Sequence, residues 1–174
     1  MAGDFEILLT DLPRTPGAQV DFRLDGEFHE AVTSNLISLP QGTILDVEGT
    51  LESVGDGVLV TASATGQVDA RCSRCLKEFT YGVDVEVMEL FVYPEKAEDY
   101  QGEDVSFVAE DRIDLSDPLR DQIILDQPLI LLCDPDCPGL CPSCGVDLTL
   151  DPTHSHDDGS DSRWSQLAQW GKMS

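Results

Sequence analysis

Six cysteines in two stretches are the residues of this chain whose types and spacing favour a chemical role. The first stretch is the sequence CSRC at Cys72–Cys75, and the second begins at Cys133 and ends in CPSCG at Gly145. In a CxxC pair, a tight turn directs two thiolates toward one tetrahedral metal ion. Pro142 sets φ for such a turn, and Gly145 accepts a left-handed conformation just beyond the second thiol. The two CxxC pairs therefore predict a structural zinc site that joins distant parts of the chain.

Four of the six cysteines would complete a tetrahedral site. The first choice joins the two CxxC pairs, Cys72, Cys75, Cys141 and Cys144. In the second choice, Cys133 and Cys137 replace the last pair, because they come first along the chain. A local site made only of the second stretch is the third arrangement. A site that includes the first pair contributes more to folding, because it closes a loop of about 70 residues in the unfolded chain.

Two other uses of paired cysteines compete with zinc. A disulfide framework requires an oxidising compartment, and Met1–Glu6 has neither the basic region nor the long apolar run of a secretory signal. A catalytic redox CxxC usually begins a helix after a strand, whereas Cys72 ends a strand-like run. The sequence therefore favours zinc and a cytoplasmic location. It also predicts no enzymatic activity, because all-cysteine zinc sites are usually closed and no Ser/His/Asp arrangement is evident.

The charge of the chain limits its partners. It has 34 acidic and 10 basic residues and a net charge of −24. Such a surface repels phosphate and anionic membranes and attracts a basic protein, although acidity can also serve solubility alone. The exception is a basic cluster around the first CxxC pair, Arg71, Arg74 and Lys77. It is either a partner-binding spot or compensation for the negative charge of the thiolates, and both interpretations stay open.

The elements that position the cysteines are predicted from apolar periodicity. Alternating residues indicate strands at Phe5–Leu9, Val20–Asp25, Leu45–Glu52, Val58–Ala70, Phe79–Val87, Val105–Val108 and Ile113–Leu115. A turn at Gly55–Gly57 makes a long hairpin, and Cys72 has the parity of its buried face. The alternation slips at Met88, which predicts a bulge near Val87. Asp117 and Pro118 predict the start of a helix over residues 117–127.

The remaining segments are acidic. We expect residues 94–104 to form a mobile loop and residues 151–162 to form a linker, in preference to a metal site at His154 and His156. The spacing in residues 163–170 predicts a short helix. The fold class is therefore mainly β, α+β, with an antiparallel sheet, one main helix and a pair of zinc knuckles. We expect residues 1–150 to form a single zinc-binding domain and residues 151–174 to form an acidic flexible tail with a short C-terminal helix.

The order of these motifs resembles the bacterial YceD family, the large ribosomal RNA subunit accumulation proteins. The matching pieces are CxRCL between two strands, DLSDPLRDQIIL at residues 114–125, and LCx3CxGLCPxCG at residues 132–145. The resemblance covers residues 44–150 well. The Cys-x-Arg-Cys pair of the family corresponds to Cys72, Arg74 and Cys75. The later cysteines of the family correspond to Cys133, Cys137, Cys141 and Cys144.

The resemblance implies a non-enzymatic role in large-subunit biogenesis and in 23S rRNA accumulation. The expected partner is a basic ribosomal protein or the rRNA precursor, with no membrane and no small-molecule substrate. Ribosomal protein L32 is a candidate, because its gene commonly neighbours that of the family in bacteria. The alternative function is that of a redox-responsive zinc-thiolate regulatory protein.

Overall fold

The computed structural model describes residues 4–101 and 105–156 of the chain. This part is mainly β, and nearly all of its strand pairs are antiparallel. The strands are β1 Glu6–Leu8, β2 Gln19–Glu27, β3 Val32–Thr33, β4 Ile37–Leu39, β5 Ile44–Ser53, β6 Gly57–Arg71, β7 Glu78–Val92, β8 Ser106–Phe107 and β9 Arg112–Asp114; the helices are the 3-10 helix Pro94–Tyr100 and α1 Ser116–Leu125.

Strand β6 is the centre of the sheet. It pairs with β7 along its whole length, from Gly57 opposite Val92 to Arg71 opposite Glu78. Its other edge is divided: residues 58–66 pair with β5, which pairs with β2, and residues 69–70 pair with β4, which pairs with β3. Strand β8 joins the end of β7 in parallel, and β1 and β9 form a separate two-stranded sheet. The β6–β7 hairpin thus runs from the core to the cysteines.

One hydrophobic core holds these elements together. The inward side chains of β5, β6 and β7 alternate with polar residues, as expected for a sheet with one solvated face. Leu119 and Ile123 of α1 are buried, and the helix packs against β7. The helix begins at Ser116, and the Asp114 carboxylate accepts hydrogen bonds from its backbone N–H and hydroxyl at 2.9 and 2.6 Å. The helix prediction is confirmed, but the helix begins one residue before Asp117, and its N-cap residue is Leu115, which makes no side-chain capping bond.

The predicted bulge near Val87 is wrong. The β6–β7 register continues unbroken through Met88, which therefore lies on the outer face and is 70% exposed. Glu89 has the inward parity and accepts a hydrogen bond from the Ser106 hydroxyl at 2.7 Å. The slip in the sequence pattern thus reflects the exposed side chain of Met88 and the hydrogen-bonded carboxylate of Glu89. The strand itself has no inserted residue.

The predicted mobile loop at residues 94–104 is also corrected in part. Residues Pro94–Tyr100 form a 3-10 helix, in which Lys96 and Tyr100 both contact Asp56 in the β5–β6 turn, at 3.4 and 3.2 Å.

Within the two described ranges, none of the helices combines the length and apolarity needed to cross a bilayer. The predicted C-terminal helix over residues 163–170 lies outside the described residues.

Candidate metal centre

The turn of the β6–β7 hairpin carries the first two thiols. It spans residues 72–77, which we call the first knuckle. The backbone N–H of Cys72 donates to the carbonyl of Lys77, and that of Leu76 donates to the carbonyl of Cys72, both at 2.9 Å. Leu76 takes a left-handed conformation with φ of 61°. This geometry turns Cys72 and Cys75 toward the same point at the end of the hairpin.

Cys133 and Cys137 complete a four-cysteine group with the first knuckle. The sulfur of Cys72 lies 3.8 Å from that of Cys137, and the sulfur of Cys75 lies 3.6 Å from that of Cys133. All four sulfurs lie within 4.8 Å of one another. A tetrahedral zinc with bonds of about 2.3 Å to sulfur requires sulfurs about 3.8 Å apart. The group therefore fits a zinc ion, and its cysteines are free thiols rather than disulfides.

Backbone hydrogen bonds bring the second cysteine stretch to the first knuckle. The N–H of Ser73 donates to the carbonyl of Leu131 at 2.7 Å, and the N–H of Leu131 donates to the Ser73 hydroxyl at 3.1 Å. Phe79 and Leu132 pack against the buried thiols. Part of the apolar run before Cys133 thus packs against the first knuckle, whereas Leu129 in the same run is 96% exposed.

The pKa values of these thiols are spread apart. Burial raises the pKa of Cys72, but backbone hydrogen bonds to its sulfur outweigh that effect and lower the pKa to about 6. The pKa of Cys133 is raised to about 12, first by its hydrogen bond with Cys75 and then by desolvation. Burial is also the main cause of the raised pKa of Cys137. Cys133 and Cys137 therefore resist ionisation by themselves, and a divalent cation would offset two of the four negative charges of a fully ionised group.

The first-choice ligand set is corrected by this geometry. Cys141 and Cys144 do not lie with Cys72 and Cys75. The second-choice pair, Cys133 and Cys137, lies there instead. Cys141 and Cys144 form a separate group with His154 and His156, two residues that we had assigned to a linker. The signal for them was present in the sequence, since a His-x-His pair begins ten residues after Cys144. The local arrangement within the second stretch alone is not formed either.

The turn at Gly139 explains why the second stretch divides. Its φ of 81° reverses the chain between Cys137 and Cys141, and an added Cβ would lie 3.0 Å from the backbone oxygen of Arg74. That oxygen accepts a hydrogen bond from the N–H of Leu140 at 3.1 Å. The first knuckle therefore holds the turn, and the chain beyond it leads away from the four-cysteine group.

The basic cluster makes intramolecular contacts. Arg74 donates to the carbonyl of Cys137 at 2.9 Å, and the Lys77 ammonium lies 2.6 Å from the Asp147 carboxylate. Hydrogen bonding with Lys77, helped by Thr149, lowers the pKa of Asp147 to about 2. The Arg71 guanidinium makes an exposed contact with Glu78 at 3.4 Å. These contacts bind the second stretch to the first knuckle, and partner binding by the cluster stays a prediction.

Replacing Arg74 with Ala should weaken zinc binding at the four-cysteine group. Its guanidinium fixes the Cys137 carbonyl, and a hydrogen bond to a charged donor contributes about 1.5–3 kcal/mol. The measurement is competition for zinc between the protein and a chromogenic chelator. Arg71→Ala is the matched control and should change stability by less than about 0.5 kcal/mol, because its ion pair is exposed. Equal zinc affinity in the two variants would contradict a structural role for Arg74.

These features define a class of protein: a mainly β domain with a long central hairpin, whose turn brings four cysteines together. The chain belongs to the YceD family, since the profile described as Large ribosomal RNA subunit accumulation protein YceD matches residues 60–170. The matched region contains the four-cysteine group and the later Cys and His residues. The family description associates the chain with accumulation of the large ribosomal RNA subunit, and it lends no support to the redox-responsive alternative.

Similar proteins occur in other bacteria. The chain is 38% identical over 177 residues to the uncharacterized protein Rv2926c of Mycobacterium tuberculosis, a match that covers 97% of this chain and 82% of that protein. An uncharacterized protein of Mycobacterium leprae is 32% identical over 161 residues, covering 91% and 74% of the two chains. The uncharacterized protein YlbN of Bacillus subtilis is 26% identical over 113 residues, covering 62% and 65%. No solved structure matches the chain significantly.

Proposed function

We propose that this protein is a non-enzymatic factor in large ribosomal subunit biogenesis, which supports 23S rRNA accumulation by binding a basic ribosomal protein. The observation that carries the proposal is the family match over residues 60–170. An all-cysteine metal group supports a structural role, because a catalytic zinc site normally keeps an open position. Zinc is the metal that fits this group best, and we expect the protein to work in the cytoplasm.

The outer face of the sheet supports a basic partner. Strand register places Ser63 of β6 between Glu48 of β5 and Glu86 of β7. The next row repeats the arrangement, with Thr65 between Asp46 and Asp84. Small hydroxyl side chains along β6 thus form the floor of an open groove with a volume of about 500 Å³, and carboxylates line both sides. Neighbouring strands lie about 4.8 Å apart, so the two acidic walls are about 10 Å apart.

The groove suits an extended basic peptide better than RNA. The carboxylates on both sides repel phosphate and attract Lys and Arg side chains. Among the described residues, Arg23 is the one basic residue that lines the groove, and it already contacts Asp46 at 2.6 Å and Glu48 at 3.6 Å. Ribosomal proteins with basic extensions have the matching charge, and L32 is the candidate that the family resemblance implies.

Neutralising the groove should weaken the complex with a basic ribosomal protein. The test variant combines Asp21→Asn, Asp84→Asn and Glu86→Gln, three exposed residues on the two acidic sides of the groove. Exposed ion pairs contribute about 0.5 kcal/mol each, so affinity should fall about tenfold. The measurement is titration with purified ribosomal protein L32 at low and moderate salt, together with identification of protein and RNA in pull-downs from cells.

The matched control removes the same number and kinds of charge outside the sheet. Asp11→Asn, Glu98→Gln and Asp99→Asn lie in a loop and in the 3-10 helix. This control should bind normally and should restore 23S rRNA levels in cells lacking the native protein, whereas the groove variant should not. Equal binding and equal rRNA levels for the two variants would contradict the groove as the working surface, and recovery of rRNA alone in the pull-down would contradict a protein partner.

A further inference from the structure

A second group of metal-ligand side chains lies apart from the four-cysteine group. The Cys144 sulfur is 3.2 Å from Nε2 of His154 and 3.2 Å from Nε2 of His156, and the two nitrogens are 2.9 Å apart. Together with the sulfur of Cys141, the four ligand atoms lie within 4.8 Å of one another. Two thiols and two imidazoles thus converge on one point, although they come from two separate parts of the chain.

The backbone around Cys141 repeats that of the first knuckle. The N–H of Cys141 donates to the carbonyl of Val146, five residues on, and the N–H of Gly145 donates back to the carbonyl of Cys141, both at 2.8 Å. Cys72 and Leu76 make the same two hydrogen bonds with the same spacing. The left-handed residue also recurs, with φ of 76° at Gly145 and 61° at Leu76. The chain therefore builds two knuckles of one design, the first at residues 72–77 and the second at residues 141–146.

The sulfur of Cys141 is approached by the backbone N–H groups of Ser143 and Cys144 in the turn of the second knuckle. Such N–H groups directed at sulfur stabilise the thiolate, which is the form that binds metal. Cys141 is buried, whereas Cys144 and His156 are exposed, so an ion could reach the group from solvent.

The histidines are held by the turn that follows the knuckle. Asp147 anchors this turn through hydrogen bonds from Thr149 and its ion pair with Lys77. Asp151 then accepts a backbone hydrogen bond from His154 at 3.2 Å, and its carboxylate lies 3.7 Å from Nδ1 of the same ring. A carboxylate on the side of Nδ1 favours the proton there and leaves the Nε2 lone pair for a metal.

We propose that Cys141, Cys144, His154 and His156 bind a second zinc ion. Two thiolates and two neutral imidazoles around a divalent ion carry no net charge, so the site needs no further compensation in a strongly acidic chain. A tetrahedral group of two sulfurs and two nitrogens is typical of zinc. The His-x-His spacing is shorter than in common zinc fingers, because both rings approach from one short segment. The second ion would fasten residues 151–156 to the second knuckle, which Lys77 and Arg74 connect to the first.

The zinc content of the full chain tests this proposal. Protein purified with reductant and excess zinc, then freed of unbound metal, should contain two zinc ions per chain by mass spectrometry of the metal. The double variant His154→Ala, His156→Ala should contain one. His29→Ala is the matched control, because His29 lies beside Asp4, away from both groups, and it should retain two. One zinc in the wild-type protein, or two in the double variant, would overturn the proposal.

Substitution with cobalt gives a second, spectroscopic readout. Cobalt in the wild-type protein should show two tetrahedral sites, one with four sulfurs and one with mixed sulfur and nitrogen ligands. The double histidine variant should keep the all-sulfur spectrum and lose the mixed one. A wild-type spectrum with only the all-sulfur site would also overturn the proposal. Neither result bears on partner binding at the acidic groove, so the two proposals can fail separately.

Discussion

Replacing Cys133 and Cys137 with Ser should release one zinc ion and destabilise the protein as strongly as replacing Cys72 and Cys75. The four sulfurs face one point at the distances that a tetrahedral zinc requires, so removal of either pair should abolish the same site. Binding of structural zinc contributes directly to folding, and we expect the free energy of unfolding to fall by about 3–5 kcal/mol. Zinc content and chemical unfolding, measured on the same preparation, provide the comparison.

Combining the two pairs sharpens this test. Residues that serve one site are not additive, so the quadruple variant should lose no more zinc than either double variant. The control is Cys141→Ser with Cys144→Ser, which should leave the zinc of the four-cysteine group in place and cost less stability. If the Cys133 and Cys137 variant instead kept that zinc while the control released it, the first-choice ligand set would be restored.

Sequence patterning was sufficient for the elements that carry the first knuckle. Apolar alternation predicted the long hairpin, and the parity of Cys72 placed the first pair of thiols at its end. These features are local, because side chains of a strand alternate between its two faces. The bulge prediction was wrong because it assumed that an apolar Met88 must be buried, although surfaces commonly expose single apolar residues.

The ligand set could not be derived in the same way. Spacing favours Cys141 and Cys144 over Cys133 and Cys137 as partners of the first CxxC pair, but the choice depends on contacts between distant segments. Here the choice is made by the hydrogen bonds of Ser73 with Leu131 and by the turn at Gly139 against Arg74. Composition also argued against His154 and His156 as metal ligands. Acidic residues surround them, and an acidic run is more often a linker.

Replacing Gly57 with Ala should strongly destabilise the protein, although this residue lies far from the metal groups. Gly57 begins β6 opposite Val92, and an added Cβ would lie 2.0 Å from the backbone oxygen of Phe91. A backbone atom cannot rotate away as a side chain does, so the β6–β7 pair must separate at this end. We expect a loss of about 3 kcal/mol in the free energy of unfolding, measured by urea denaturation.

The matched control lies two residues earlier in the same turn. A Cβ at Gly55 meets nothing within 4 Å, and Gly55→Ala should change the stability by less than about 0.5 kcal/mol. Because β6 and β7 pair along all 15 residues and end at the first knuckle, Gly57→Ala should also weaken zinc binding at the opposite end of the hairpin. A Gly57 variant that unfolds more easily but holds zinc as tightly as the Gly55 variant would show that the knuckle is organised locally, by its own turn and the docked Leu131 strand, rather than by the hairpin as a whole.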